Sequence, residues 1–310
     1  MSSYRFCRTD DIGLLVDALN RCWTPNFPDE PAMDAAAFKR SIRDLQVWCS
    51  SCMVAFAGAD PVAVLIGAKR PSATLVHRIA VHPDHQRQGH ARHLLASLGS
   101  KLAILGPPRI VAEVPESLAP ACALFGASGF VQEARLTDYV LECDDVGHAS
   151  GAGPGATASE HADRFVIPVT VDDLAANGLL DGHSEVCWER SIETLMARKG
   201  DISGVAVASD ERIEAYLLYM PALATAKMPA VAAAVSEFQL TRFPSFQILS
   251  LRSFVEDGGT RLRQLLSRPG AGTFRFPKVH PAEISKDVLE TLGFRPEARR
   301  VLYAARARSE

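Results

Sequence analysis

The sequence predicts an α/β protein of two domains that share one plan of strands and helices. Segments rich in β-branched and aliphatic residues alternate with segments whose apolar residues recur every three to four positions. Two landmarks of the first half return in the second. Asp10-Asp11 recurs as Asp172-Asp173, 162 residues later, and Gly129-Phe130 recurs as Gly293-Phe294, 164 residues later. Near-equal lags on separate landmarks indicate a tandem duplication.

The composition is that of an ordinary globular protein. The chain has 310 residues, of which 47% are hydrophobic and 22% charged, a length that suits about two domains. The net charge of −3 provides no basic footprint for nucleic acid or an anionic membrane. No apolar run reaches the ~18 residues of a membrane span, and the N-terminus is too polar for a signal peptide. We therefore expect a cytoplasmic protein that binds neither nucleic acid nor membrane.

The seven cysteines are scattered through apolar segments, which indicates reduced thiols. Cys49 and Cys52 have the spacing of a redox or zinc motif. The sequence holds no second pair of ligands, however, and Cys52 opens an apolar strand. Buried thiols are the favoured interpretation, and we expect no metal.

The first half predicts a domain over residues 1–143, followed by a Gly/Ala/Ser-rich linker at 144–162 and a second domain at 163–310. The elements of the first domain are predicted in this order: a strand at 4–8, a helix after Asp10-Asp11, an irregular proline-rich stretch at 20–31, a helix capped by Asp34, a hairpin of 52–57 and 62–68, a strand at 74–81, a helix from about 91, a strand at 109–114, a helix at 119–127 and a strand at 136–143.

The stretch 74–95 is the centre of the first domain. Its apolar strand ends at His82-Pro83-Asp84, because proline has no amide hydrogen and restricts the residue before it. A glycine-bearing loop and a leucine-rich helix follow. The free amides and the dipole of a helix N-terminus favour a bound anion, Gly89 lets the backbone approach it, and Arg87 and Arg92 add positive charge. The stretch therefore predicts an anion cradle.

This loop resembles the pyrophosphate loop of the GNAT superfamily of N-acetyltransferases, written Arg/Gln-x-x-Gly-x-Gly/Ala. Gln86, Gly89 and Ala91 occupy its three defining positions, and the order of elements around them is that of the second half of a GNAT domain. The resemblance implies two tandem GNAT-like domains, each with a mixed, mostly antiparallel central sheet flanked by helices. It also implies an acetyl-CoA-dependent N-acetyltransferase that acts on the amine of a small molecule or a peptide.

The resemblance assigns acetyl-CoA to the first domain. In the family, the strand before the loop diverges from its neighbour and holds the pantetheine arm through main-chain groups. Here that strand supplies Ile79, Ala80 and Val81. The pyrophosphate is expected on the loop and the start of the helix, which comprise Gln86, Arg87, Gln88, Gly89, His90, Ala91 and Arg92.

Two residues are candidates for the general base that deprotonates the amine. Positions 75, 77, 79 and 81 of a regular strand share one face, so His77 would project beside the reacting region, with an ordinary pKa of ~6.5 that suits the task. The run around His77 resembles arylalkylamine N-acetyltransferases, which carry a histidine there that acts through water. Glu113, on the neighbouring strand, is the alternative. Each candidate also has an interpretation without a catalytic role. His77 would then be a histidine hydrogen-bonded within the sheet, and Glu113 a solvated carboxylate at the sheet edge.

The sequence departs from the family at the general acid. Many members carry a tyrosine in the helix before the Gly-Phe pair, whereas this chain has Phe125, which donates no proton. A thiolate with a pKa of ~8.5 is a good leaving group, so water can protonate it. On the acceptor side, the resemblance points to the loop after the first helix and to Trp23, Asn26 and Phe27. Plain loop packing is the alternative for these three.

The second domain has lost the cradle sequence. Glu256 and Asp257 put negative charges where a pyrophosphate would lie, and like charges repel it. We therefore expect a degenerate C-terminal domain that binds no CoA. A non-catalytic acyl-CoA-binding or sensing protein is the alternative to an enzyme, and a homodimer is compatible with both.

Overall fold

The computed structural model describes residues 2–143, 165–181, 186–221 and 244–308. The predicted linker at 144–162 lies outside them. Within the described residues the chain forms these strands: β1 (Ser2–Phe6), β2 (Met53–Ala57), β3 (Asp60–Lys69), β4 (Thr74–Val81), β5 (Arg109–Pro115), β6 (Val131–Cys143), β7 (Phe165–Pro168), β8 (Ser203–Ala208), β9 (Ile213–Pro221), β10 (Ser245–Ser253), β11 (Gly272–Val279) and β12 (Arg295–Arg306).

The helices lie between these strands: α1 (Ile12–Cys22), α2 (Ala35–Leu45), α3 (His90–Leu105), α4 (Ala119–Ala127), α5 (Val171–Ala176), α6 (Ile192–Ala197), α7 (Thr260–Leu266) and α8 (Lys286–Thr291). Side chains cap several of their first turns. The Asp34 carboxylate accepts from the Ala37 amide at the start of α2. Thr170 and Asp173 form a reciprocal capping box on α5. Such caps satisfy amides that have no acceptor within the helix.

The chain divides into two compact units that are interleaved along the sequence. Among the described residues, the N-terminal unit comprises 2–135 and 299–308, and the C-terminal unit comprises 136–298. The consecutive domains predicted at 1–143 and 163–310 differ from this division at the end of β6 and at the end of β12. An alternating strand sequence shows which face is buried, but it does not show which strand lies beside it.

The N-terminal unit contains a mixed sheet in the order β1-β2-β3-β4-β5-β12. Its strand pairs are antiparallel except for the parallel pair β4–β5. The last strand of the chain completes it, with Tyr303 opposite Ala112 on β5. This sheet is the frame that positions the loop after β4.

Helix α3 packs one face of that sheet. Leu94, Leu95 and Leu98 are buried against Val76 of β4 and Phe125 of α4. Full burial of one such leucine contributes about 1.5–3 kcal/mol relative to its exposure. The same leucines were the signal for this helix in the sequence, and the predicted start near Ala91 is confirmed within one residue.

The C-terminal unit contains a second mixed sheet in the order β6-β11-β10-β9-β8-β7. Again the pairs are antiparallel except for one, the parallel pair β10–β11. Each unit thus has a mixed, mostly antiparallel sheet with helices packed on it, and the predicted fold class is confirmed.

None of the seven cysteines forms a disulfide. Cys49 and Cys52 are buried, so the interpretation of their motif as structural is confirmed. Burial raises the pKa of Cys7 to about 12 and that of Cys22 to about 11, so both thiols stay protonated and unreactive near neutral pH. No helix among the described residues has the length and apolarity needed to cross a membrane.

Candidate active site

Strands β4 and β5 pair only where they begin. Their parallel register consists of Thr74 opposite Ile110 and Leu75 opposite Val111. Beyond these pairs the strands separate, and the β5-facing edge of β4 borders a gap in the sheet. Backbone amides and carbonyls along such an edge are strong hydrogen-bonding groups that a ligand can use.

A β-bulge lies on β4 beside this gap. Gly67 of β3 opposes Val76 and Ile66 opposes Arg78, so His77 is the extra residue of the bulge. Val76 consequently contacts the same apolar cluster as Ile79 and Val81. The prediction that positions 75, 77, 79 and 81 share one face is therefore wrong, because the bulge shifts the alternation by one residue.

The loop after β4 turns its backbone into the start of α3. Gly89 precedes the helix with a φ of 86°, and Arg87 has a φ of 62°. No atom lies within 4 Å of the place where a Cβ on Gly89 would stand. Left-handed residues next to a helix N-terminus gather amides into an anion-binding concavity. The loop therefore has the backbone geometry of an anion cradle, and its binding of an anion stays a prediction.

A cleft of about 680 Å³ extends from the end of β4 over the loop to the start of α3. Apart from Gln88, every residue predicted to bind the cofactor lines it, and so do Asn26 and Phe27. The opposite wall is formed by α4 and the residue before it, through Leu118, Pro120, Ala121, Ala123, Leu124 and Ala127. This wall was not predicted from the sequence. Helix α4 (APACALFGA) is apolar on every face, so its pattern does not indicate which residues face the cleft.

Asn26 connects the loop after α1 to the end of β4. Its amide nitrogen donates to the Cys22 carbonyl at 2.7 Å and to the Val81 carbonyl at 3.1 Å. Its amide oxygen accepts from Gln86 at 3.0 Å. Asn26 therefore positions the strand end and the first residue of the motif, in addition to lining the cleft.

Trp23 lies behind this lining. Its ring stacks on Phe27 with centroids 4.3 Å apart, and its indole nitrogen donates to Glu30 at 2.9 Å. The Arg78 guanidinium lies over the Trp23 ring at 4.6 Å and reaches Glu30 at 3.3 Å. Trp23 thus supports Phe27, which is the member of the pair that faces the cleft.

His90 is buried at the start of α3, with 3% of its surface exposed. Its Nδ1 shares a hydrogen bond of 2.8 Å with the Tyr4 hydroxyl, while Nε2 is buried without a partner. Burial lowers the pKa of His90, and the nearby His85 and His93 lower it further. The ring is therefore neutral at neutral pH.

The two candidate bases lie on the diverging strands, His77 at the bulge of β4 and Glu113 on β5 opposite Leu302 of β12. Both are half-buried, and neither belongs to the lining of the cleft. The structure thus brings them to opposite sides of the gap, and the choice between them stays a prediction.

Phe125 occupies the core. It is 2% exposed, it packs edge-on against Phe130 with centroids 5.1 Å apart, and it stacks on Tyr303 at 5.8 Å. Phe125 therefore does not line the cleft, whereas its neighbour Leu124 does, because one step along a helix rotates the side chain by 100°.

The cleft fits a nucleotide-linked thioester. Open space beside Gly89, helix amides and the exposed Arg87 and Arg92 suit a pyrophosphate. The unpaired edge of β4 and the apolar wall of α4 suit a long, partly polar arm. These groups fit acetyl-CoA in charge and in polarity.

Comparisons with known proteins agree with this geometry. The Acetyltransferase (GNAT) family matches residues 14–130. No curated protein matches the sequence. A tandem GNAT protein from the clavulanic acid biosynthesis pathway is structurally similar over 100% of both chains, with a TM-score of 0.60 and 16% identity. A GCN5-related N-acetyltransferase from Sphaerobacter thermophilus aligns over 99% of this chain and 96% of its own, with a TM-score of 0.61 and 13% identity.

A GCN5-related N-acetyltransferase from Anabaena variabilis has a TM-score of 0.60 and 11% identity over 99% of this chain and 73% of its own. At these identities the structures establish the fold. Residues 14–130 match the GNAT family of acetyltransferases, and the chain as a whole has the fold of the tandem GNAT structures.

Proposed function

We propose that this protein is an acetyl-CoA-dependent N-acetyltransferase whose N-terminal unit acetylates the amine of a small molecule or a peptide. The observation that supports the proposal is the open cleft that runs from the end of β4, where β4 has left its pairing with β5, to the N-terminus of α3. The GNAT family match covers these elements, and members of that family are acyltransferases.

The chain contributes binding groups on both sides of the thioester. The amides at Gly89–Ala91, with Arg87 and Arg92, hold the pyrophosphate. The main chain of Ile79–Val81 holds the pantetheine arm and directs an amide at the thioester carbonyl, where negative charge develops. Acetyl-CoA itself supplies the activated acetyl group.

A base on the chain must remove the proton of the acceptor ammonium before nitrogen attacks. His77 is the first candidate because its ordinary pKa lies near neutral pH and it sits at the bulge beside the gap. Glu113 is the second candidate, from the facing strand. Water protonates the departing thiolate, because Phe125 is buried and carries no proton donor.

The acceptor enters beside the loop that follows α1. Phe27 provides an aromatic surface in the cleft, Trp23 holds it from behind, and Asn26 fixes the adjacent end of β4. Glu30 accepts from the Trp23 indole and is paired with Arg78, so its carboxylate orients the Trp23 ring while that arginine balances its charge.

The test is release of free CoA thiol from acetyl-CoA across a panel of small amines, amino acids and peptides with free amino termini. The proposal predicts release that depends on one class of amine, with the acetylated amine identified by mass. Turnover no faster than buffer for every amine, with acetyl-CoA binding intact, would reject the enzyme and leave the second candidate.

The second candidate is a non-catalytic acyl-CoA-binding protein. It is favoured by one observation: among the described residues, those that line the cleft include no carboxylate and no tyrosine hydroxyl. It predicts tight binding of acetyl-CoA, a change in association with a partner when acetyl-CoA binds, and no amine-dependent thiol release.

A further inference from the structure

The C-terminal unit repeats the bulge and the strand divergence of the N-terminal unit. The parallel pairing of β10 with β11 ends at Gln247 opposite Arg275. Next to it, β9 pairs with Ile248 and Ser250 but skips Leu249. Leu249 is thus the bulged residue of β10, as His77 is of β4. In both units the bulge lies two residues after the last parallel pair.

Arg190 fills the gap between the separated strands of the C-terminal unit. Its guanidinium donates to the Leu249 carbonyl of β10 at 3.3 Å and to the Lys278 carbonyl of β11 at 3.1 Å. It also donates to both carboxylate oxygens of Glu283, at 2.5 and 2.7 Å. The side chain of Arg190 is fully buried and lies 4.6 Å from the Phe276 ring centroid.

This arginine is charged. Burial alone would lower the pKa of Arg190, but Cys187 and Glu283 raise it above its ordinary value. The planar arginine guanidinium has five N–H donors, so it can bridge two strands and a carboxylate at once. A lysine ammonium cannot do so in the same geometry.

The second cradle is filled as well. Asp257 accepts from the Gly259 amide at 3.0 Å, from the Arg261 amide at 2.9 Å and from the Arg261 guanidinium at 2.7 Å. Arg261 in turn donates to Glu214 at 2.6 Å. Burial alone would raise the pKa of Asp257, but these hydrogen bonds hold it below its ordinary value. Glu256 is exposed, so Asp257 is the acidic residue that occupies the loop.

We infer that the C-terminal unit is a filled copy of the N-terminal cleft, in which Arg190 occupies the strand gap and Asp257 occupies the anion cradle. The inference rests on the proposed function of the N-terminal unit. It explains the exclusion of CoA without charge repulsion. Arg190 and Asp257 already occupy the hydrogen-bonding groups of the bulged strand and of the loop. The protein then has one acyl-CoA site, and Arg190 ties β10 to β11 in place of a ligand.

Hydrogen exchange of the full chain, read by peptide mass with and without acetyl-CoA, tests this inference. We expect added protection in peptides covering 74–92 and none in peptides covering 245–261. Protection of both segments would overturn the inference while leaving the proposed function intact. Protection of neither would reject the proposed function, and the arginine variant below then decides the inference alone.

The variant is Arg190→Lys, with Arg263→Lys as the control. Arg263 is an exposed arginine of the same unit that also donates to main-chain carbonyls. We expect Arg190→Lys to speed hydrogen exchange at 248–250 and 276–279 about tenfold or more, because the buried guanidinium and its hydrogen bonds are lost. We expect Arg263→Lys to leave that exchange unchanged. Unchanged exchange in Arg190→Lys would show that Arg190 does not hold the strands together. Should this variant not fold, Glu283→Gln, which keeps the acceptor oxygen, must produce the same local change.

Discussion

Asn26 lies in a loop, but its hydrogen bonds position both the end of β4 and the first residue of the loop motif. We predict that Asn26→Ala raises the Kd for acetyl-CoA roughly thirtyfold, because hydrogen bonds to the Val81 carbonyl and to Gln86 are lost at about 1 kcal/mol each. Asn20→Ala is the matched control, since Asn20 makes the same kind of bonds to Met33 away from the cleft. Titration calorimetry of both variants gives the comparison. Equal Kd values for Asn26→Ala and wild type would remove Asn26 from the site.

The buried His90 makes the N-terminal unit sensitive to acid. Its pKa is lowered in the folded state by burial, so the unfolded chain binds the extra proton first. Stability is then full above the ordinary pKa of ~6.5 and falls as pH drops below it. We predict that His90→Phe flattens the dependence of the melting temperature on pH between 7 and 5, whereas the exposed His93 replaced by Phe does not. An unchanged slope in His90→Phe would contradict the assignment.

Two isosteric substitutions distinguish between His77 and Glu113 as the general base. If His77 acts as the base, His77→Gln lowers kcat about 10²-fold or more with little change in the KM for acetyl-CoA, and it removes the limb of the pH–rate profile near neutral pH. Glu113→Gln then has a small effect. The reverse result assigns the base to Glu113. If both variants keep full activity, the amine is deprotonated by neither residue.

At the scale of elements, the last strand belongs to the first unit. Residues 300–306 of β12 pair with β5 over its whole length, and Tyr303 covers Phe125. We predict that a fragment of residues 1–143 is unfolded or aggregates, because it exposes the edge of β5 and an aromatic cluster. Adding the separate fragment 163–310 should restore a cooperative melting transition. A fragment 1–143 that melts cooperatively alone would contradict this account.

Most elements could be predicted from the sequence, and the exceptions have physical causes. The leucines of α3 and the Asp34 cap of α2 are local signals, and both are present as expected. The bulge at His77 is not a local signal, because the insertion of one residue exists only relative to the partner strand. The pairing of β12 with β5 likewise depends on an edge that lies nearly two hundred residues away in the chain.

The same distinction holds for the site. The loop motif could be read directly, and every predicted cofactor residue but Gln88 lines the cleft. The role of Asn26 could not, because its partners Val81 and Gln86 come from another element. No sequence pattern indicated the role of Arg190 either. Its partners Leu249, Lys278 and Glu283 come together only when the strands separate.

At the scale of the whole molecule, the two halves are unequal, because the N-terminal half has an open cleft and the C-terminal half has a filled copy of it. The N-terminal half holds a cleft with cationic groups around a helix N-terminus. In the C-terminal half, the corresponding loop is occupied by hydrogen bonds among Asp257, Arg261 and Glu214. A duplicated fold has thereby kept its strands while the two sites diverged.

Calorimetric titration of acetyl-CoA into the full chain tests the central claim most directly. The variant is Gly89→Glu, which strains a left-handed residue and places a carboxylate in the cradle. Gly58→Glu is the control, because Gly58 also has positive φ and open space around it but lies in the β2–β3 turn. The account predicts one site per chain in the wild type and in Gly58→Glu, and none in Gly89→Glu. Two sites, or binding that survives in Gly89→Glu, would contradict it.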